Sequence, residues 1–308
     1  MLAKIAYYIF VIPLSYLPLS ILYLFTDFLY FALLYFVPYR RIVVRNNLTN
    51  SFPEKSLDEI KEIERKFYKH FTDLLAEGIK NLTISQKELT KRIKVENPEI
   101  MDKLYSHNKS VLLVSGHYNN WEWLITSQNN LFQHQAMGIG MPLTSKFWDK
   151  KINERRSRFG MRVVNAKNLK ESISNELINK PIAILILSDQ SPGDSKRSYW
   201  MNFLNQQTAV IFGTEQMANE YDFAVVFFKM TKIKRGHYKM VLELITDTPK
   251  ELAWGEITEK HTRLLENEIV KNPQFWIWSH KRWKRDIPQD LEALRLEQKT
   301  KFESRYRS

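Results

Sequence analysis

Ser110-Val111-Leu112-Leu113-Val114-Ser115-Gly116-His117-Tyr118-Asn119-Asn120-Trp121-Glu122 runs from an apolar stretch into a turn that carries an imidazole and a carboxylate. Val111 to Val114 is short, β-branched and leucine-rich, which reads as a buried strand, and Ser115-Gly116 breaks it. In an α/β sheet, chemistry gathers at the carboxyl ends of strands. His117 and Glu122 therefore stand where a general base and its orienting partner belong. A neutral imidazole, with an unperturbed pKa of about 6.5, accepts the proton of an attacking hydroxyl near neutral pH. If residues 118 to 122 turn back or open a helix, Glu122 reaches one ring nitrogen, fixes the tautomer and stabilises the imidazolium. The same spacing also arises by chance, and a lone histidine after a strand is often a hydrogen-bonded structural residue.

The flanking sequence places this strand in an α/β domain. Ser56 and Glu59 form a capping-box pattern, and Ile60, Ile63, Phe67, Phe71, Leu74, Leu75 and Ile79 recur at three- and four-residue steps, which predicts an amphipathic helix from Ser56 to Asn81 with its apolar stripe in the core. Ile182 to Leu187 reads as a second buried strand ending at Ser188-Asp189. Phe223 to Met230 and Tyr238 to Ile245 read as two more, joined by the basic turn Thr231 to His237. Glu256 to Lys271 is helical in pattern and Pro273 stops it. Strands alternating with helices imply a mixed, mostly parallel sheet flanked by helices. After Pro288 the tail alternates charges, as a surface helix or a frayed end does.

Ile5 to Thr26 holds 22 residues without a charged side chain, and apolar character resumes from Phe28 to Val37. A span of ~20 residues crosses a bilayer, so an N-terminal membrane helix is expected, with Pro13 and Pro18 leaving a bent span, a re-entrant segment or two short interfacial helices open. Arg40, Arg41 and Arg45 follow, and the positive-inside rule then puts the rest of the chain in the cytoplasm. The expected division is an anchor over residues 1–39, a catalytic domain over 40–288 and a charged tail over 289–308. Cysteine is absent, which excludes a disulfide framework, a cysteine nucleophile and thiolate metal sites. The formal charge of +12 asks for an anionic partner: nucleic acid, an anionic leaflet, an acidic carrier protein or a phosphorylated substrate.

Arg155, Arg156 and Arg158 make a basic cluster before Gly160 that suits a phosphate or the charge developing on a carbonyl oxygen, or else a solvated helix face. Asp189, at the end of its strand and before Gln190-Ser191-Pro192-Gly193, lines the same cleft as His117 or caps the next turn. Trp276, Trp278, His280, Lys281, Arg282 and Trp283 mix rings with cations, as residues at a headgroup layer or a packed aromatic segment do. The seven histidines show no metal-ligand spacing. Neither a phosphate-binding glycine loop nor a G-x-S-x-G elbow occurs, so no cofactor and no serine acyl-enzyme is expected.

These motifs, taken in order, resemble the bacterial lipid A biosynthesis acyltransferases. The string Gly116-His117-Tyr118-Asn119-Asn120-Trp121-Glu122-Trp123 looks like the family's H-x4-D/E motif. Arg41 to Pro53 is similar to its segment after the anchor, Arg155 to Gly160 to its arginine motif, Ser188-Asp189-Gln190 to its aspartate segment, and Phe275 to Trp283 to its C-terminal signature. The resemblance implies a glycerol-phosphate-acyltransferase-like fold and an enzyme of the inner membrane, facing the cytoplasm. It also implies acyl-carrier protein as donor and the hydroxyl of a phosphorylated glycolipid, a lipid A precursor, as acceptor. His117 becomes the base, Glu122 its orienter, and Arg156, with Arg158 second, the phosphate or oxyanion ligand; Asp189 joins the substrate site. Nucleic acid is not expected as a partner. Other acceptors, such as a lysophospholipid or an aminolipid, form the alternative, and a non-catalytic binder of anionic lipid or nucleic acid is a further one.

Overall fold

The computed structural model describes residues 2–140, 142–177 and 180–307. Nine strands are present among them: β1 (Ile93–Val95), β2 (Val111–Ser115), β3 (Gln135–Gly140), β4 (Arg162–Asn165), β5 (Ile182–Leu187), β6 (Tyr199–Phe203), β7 (Gln206–Val210), β8 (Ala224–Lys234) and β9 (His237–Thr246). Helices in chain order are α1 (Leu2–Ala6), α2 (Ile12–Tyr16), α3 (Leu19–Tyr35), α4 (Arg41–Ser51), α5 (Leu57–Lys80), α6 (Gln86–Arg92) and α7 (Glu99–Ser106). They continue with α8 (Trp121–Leu131), α9 (Lys146–Arg156), α10 (Leu169–Leu177), α11 (Gly213–Tyr221), α12 (Glu256–Lys271) and α13 (Leu291–Tyr306).

Seven strands form one sheet in the order β1-β9-β8-β2-β5-β3-β4, and every neighbouring pair is parallel except β8–β9. β2 and β5 are almost wholly buried and lie side by side in the centre. Successive side chains of a strand point to opposite faces. Val111 and Leu113 accordingly pack on one layer with Trp123 and Leu124 of α8, while Leu112 and Val114 pack on the other with Ala218 of α11 and Ile257 of α12. The mixed, mostly parallel sheet thus follows from the apolar runs. The β8–β9 strands are longer than their sequence pattern suggests, and the basic turn shrinks to Arg235-Gly236 because Thr231 to Lys234 stay paired. β6 and β7 make a separate hairpin whose turn residues, Leu204 and Asn205, both have positive φ. The charged tail folds as α13 and seats Phe302 against Phe212, with 5.7 Å between ring centroids.

The N-terminal membrane helix is corrected by the structure: among the described residues no helix is long and apolar enough to cross a membrane. The reason is local. A π-helical turn, Tyr7–Val11, interrupts the chain before α2. Leu17, forced out of the helical region by Pro18, is extended at ψ 150° and separates α2 from α3. α3 then has 17 residues, about 25 Å at 1.5 Å per residue, and contains Asp27. It packs along α5, burying Leu19, Leu22 and Tyr23, while Asp27 pairs with Lys69 and Arg235. Its opposite side leaves Leu24, Phe25, Phe28, Phe31 and Tyr35 exposed.

α5 has the predicted capping box, with Ser56 and Glu59 bonded reciprocally. Its burial is less simple than the apolar stripe implies. Ile60 and Phe67 enter the core, but so do Glu64, His70, Asp73 and Glu77, each between neighbouring elements, while Leu75 stays 38% exposed.

Candidate active site

Parallel register builds the site. Ser115 of β2 stands opposite Leu187 of β5, so residues two steps beyond each strand emerge side by side at the carboxyl edge of the sheet. Those residues are His117 and Asp189. The His117 Nδ1–H donates to Asp189 Oδ1 at 2.6 Å and the His117 backbone N–H donates to Oδ2 at 2.9 Å. Gly116 makes this approach possible, because a Cβ there would lie 2.9 Å from the Asp189 carboxyl carbon and 2.6 Å from Leu265. Trp276 Nε1–H donates to the same Oδ2 at 2.7 Å. Burial alone would push the Asp189 carboxyl up, but attraction to the His117 ring and the three hydrogen bonds outweigh it and hold the group below its usual range.

With Nδ1 donating to Asp189, the lone pair of His117 sits on Nε2, where it accepts a hydrogen bond from Gln190 Nε2 at 3.1 Å. The ring stands edge to face with Trp121, 5.0 Å between centroids, and keeps 18% of its side-chain surface open. The turn between β2 and α8 is held from several sides. Asn119, at φ 55°, donates to Met230 O at 2.7 Å. Asn120 caps α8 through Trp123 N and also donates to the buried carboxylate of Glu77, which accepts from Tyr23 and Tyr238 at 2.6 Å each. Burial keeps the Glu77 pKa raised although these hydrogen bonds oppose it.

The place expected of Glu122 belongs to Asp189. α8 begins at Trp121, so Glu122 leaves along the helix toward α9, where Arg155 Nη2 donates to it at 2.6 Å and Arg156 donates through both Nε and Nη2. Burial would push the Glu122 carboxyl up; the two guanidiniums reverse this and hold it low. One carboxylate faces two arginines, which leaves a positive charge at that edge. Arg158 is also placed differently from the substrate role expected of it. It donates to Asn81 O at 2.5 Å and Ile84 O at 2.9 Å, carbonyls just past the end of α5, where cations complement unsatisfied oxygens.

The segment from Trp276 to Trp283 closes the site from above. Asn47 of α4 fixes it by donating to Trp278 O at 2.8 Å and His280 O at 2.9 Å. His280 Nε2 accepts from Ser191 N at 3.2 Å, and its pKa is lowered first by burial. Arg282 is 2% exposed, has no partner for its Nε and lies over Phe203. Burial pushes its pKa down to about 10, against the pull of Asp189. The sequence marks Trp276 and Arg282 only as part of the aromatic and basic segment Trp276 to Trp283, Asn47 only as part of Arg41 to Pro53, and Glu77 not at all. The need of an indole N–H, an amide or a buried charge for a partner does not say where that partner is.

Beside Trp121 lies an apolar cavity of about 360 Å³ between α5, α9 and the N-terminal segment, walled by Phe71, Leu75, Gly78, Leu82, Trp148 and Ile152 among others. Among the described residues no group of three or more His, Cys, Asp or Glu could hold a metal ion. The arrangement is a tautomer-fixed imidazole whose Nε2 lone pair meets the side-chain amide of Gln190, with arginines nearby and an apolar groove beyond Trp121. It suits proton abstraction from a hydroxyl next to an apolar substrate.

The chain is similar to the lipid A biosynthesis palmitoleoyltransferase of Escherichia coli (strain K12), 20% identical over 260 residues that cover 81% of this chain and 80% of that protein. Residues 2–285 match the family described as bacterial lipid A biosynthesis acyltransferase, and with nearly the whole chain matched, the protein belongs to that family.

Proposed function

We propose that the protein transfers a fatty acyl chain from acyl-carrier protein to a hydroxyl of a phosphorylated glycolipid, a lipid A precursor, with His117 as general base. The observation that carries this reading is the His117–Asp189 hydrogen bond, which puts the lone pair on Nε2, where an acceptor hydroxyl can take the place of the Gln190 amide. The acceptor oxygen attacks the thioester carbonyl carbon as its proton passes to Nε2. Asp189 stabilises the imidazolium, the C–S bond breaks, and the proton returns to the departing thiolate. No acyl-enzyme is needed. The surplus positive charge at Arg155 and Arg156 suits an acceptor phosphate, and buried Arg282 suits the developing oxyanion. The apolar groove beside Trp121 takes the acyl chain. The exposed aromatic side of α3 lies against the inner-membrane surface on its cytoplasmic side, and the charge of +12 favours both an anionic leaflet and an acidic carrier.

The test is mass spectrometry of lipids from cells lacking the gene, restored with wild type or His117→Ala. Lipid A lighter by one acyl group, corrected only by wild type, is the expected result, with purified His117→Ala slower by about 10²–10⁴-fold. Unchanged lipid A with another lipid missing would move the activity to a different acceptor. Full rescue by His117→Ala would end the mechanism.

A further inference from the structure

Gly78 occupies a helical position of α5, two residues before its end, where glycine is about 1 kcal/mol worse than alanine. The usual grounds for glycine are missing. Its φ is not positive, it is not the residue that follows the helix, and nothing lies within 4 Å of where its Cβ would stand. The space above it is the apolar groove, where Phe71, Leu75 and Gly78 succeed one another at four- and three-residue steps along one side of α5 and Leu82 follows just past its end. The groove reaches the histidine through Trp121, a wall residue whose ring also packs edge to face on His117.

We infer that Gly78 sets the length of the acyl chain the groove accepts, by leaving the wall of α5 as bare backbone where larger residues flank it. This rests on reading the groove as the acyl site. A side chain at 78 takes up groove volume that chain methylenes would otherwise fill, and its Cβ would stand clear of the protein by more than 4 Å. Each methylene kept from burial lowers affinity about fourfold, the equivalent of roughly 0.8 kcal/mol.

The experiment is calorimetric titration of the full chain with saturated fatty acids of graded length, octanoate to palmitate, for wild type, Gly78→Ala and Gly78→Leu. Affinity for wild type should rise with each added methylene to a plateau. Gly78→Leu should keep the short-chain affinities and reach its plateau several methylenes earlier, and Gly78→Ala should fall between them with an unchanged or higher Tm. Identical length profiles for wild type and Gly78→Leu would overturn the inference, as would a wild type whose affinity ignores length. Transfer assays with carrier-bound donors of the same lengths separate the two readings: length-graded binding without any transfer sinks the acyltransfer mechanism and keeps the groove.

Discussion

Asp189 and Glu122 are both held below the usual carboxylate range, and both stand near the turn that carries His117, yet they do different things. Asp189 is 72 residues from His117 in sequence and touches it; Glu122 is five residues away and does not. Burial opposes ionisation in both. Asp189 overcomes it with hydrogen bonds from a ring, a backbone N–H and an indole, Glu122 with two guanidiniums. The difference teaches that sheet register, rather than nearness in sequence, delivers the partner of a histidine at a strand end. A carboxylate that starts a helix is carried away by the helix it starts.

The comparison is sharpened most by Asp189→Asn. An amide there no longer stabilises the imidazolium and disturbs the tautomer, so kcat should fall about 10²–10⁴-fold with KM little changed. Acid stability gives a second readout. The folded carboxyl binds its proton less readily than the unfolded one, so its contribution is present above the unfolded pKa of about 3.9 and is lost as pH falls through the lower folded value. Chemical denaturation followed from neutral pH downward should show the wild-type advantage over Asp189→Asn shrinking below about pH 4. An Asn variant with wild-type kcat would break the assignment of the orienter.

Glu122→Gln should affect the fold as much as the chemistry. It leaves Arg155 and Arg156 without a counter-charge, and the expected loss is about 1–3 kcal/mol of stability, with kcat/KM down about tenfold through displacement of α9. A double-mutant cycle with Arg156→Gln should return a coupling energy of about 0.5–3 kcal/mol. If Glu122 held the His117 ring, the cycle would show no coupling and kcat would fall as far as in Asp189→Asn.

The sequence makes some of this legible and hides the rest for physical reasons. β5 and α12 begin and end where the apolar run and Pro273 put them, because those signals are local. His117 stands out as the imidazole at a strand end, and Asp189 as a neighbour in its cleft. The hydrogen bond between them depends on β2 pairing with β5 rather than β3, which no local pattern states. Likewise Glu64, Asp73 and Glu77 look like a solvated face of α5 until arginines, a lysine and tyrosines from distant segments reach them. The N-terminal apolar run misled for the opposite reason: composition passes for a span, while Pro18 and the π-helical turn divide it into pieces too short for one.

Trp276→Phe makes the finest cut between the two carboxylates. It keeps a ring in a position that is 2% exposed and removes one donor from Asp189 Oδ2, which still accepts from the His117 backbone. A hydrogen bond to a charged group is worth about 1.5–3 kcal/mol. If only part of that is realised in the transition state, kcat should drop roughly tenfold with KM unchanged. Trp276 acts through Asp189, so the same substitution placed in an Asp189→Asn background should cost much less than in wild type. In a Glu122→Gln background its cost should be undiminished, because that carboxylate belongs to α9 and not to the histidine. Equal costs in all three backgrounds would show that Trp276 only packs, and the distinction between the carboxylates would then rest on the His117 contact alone.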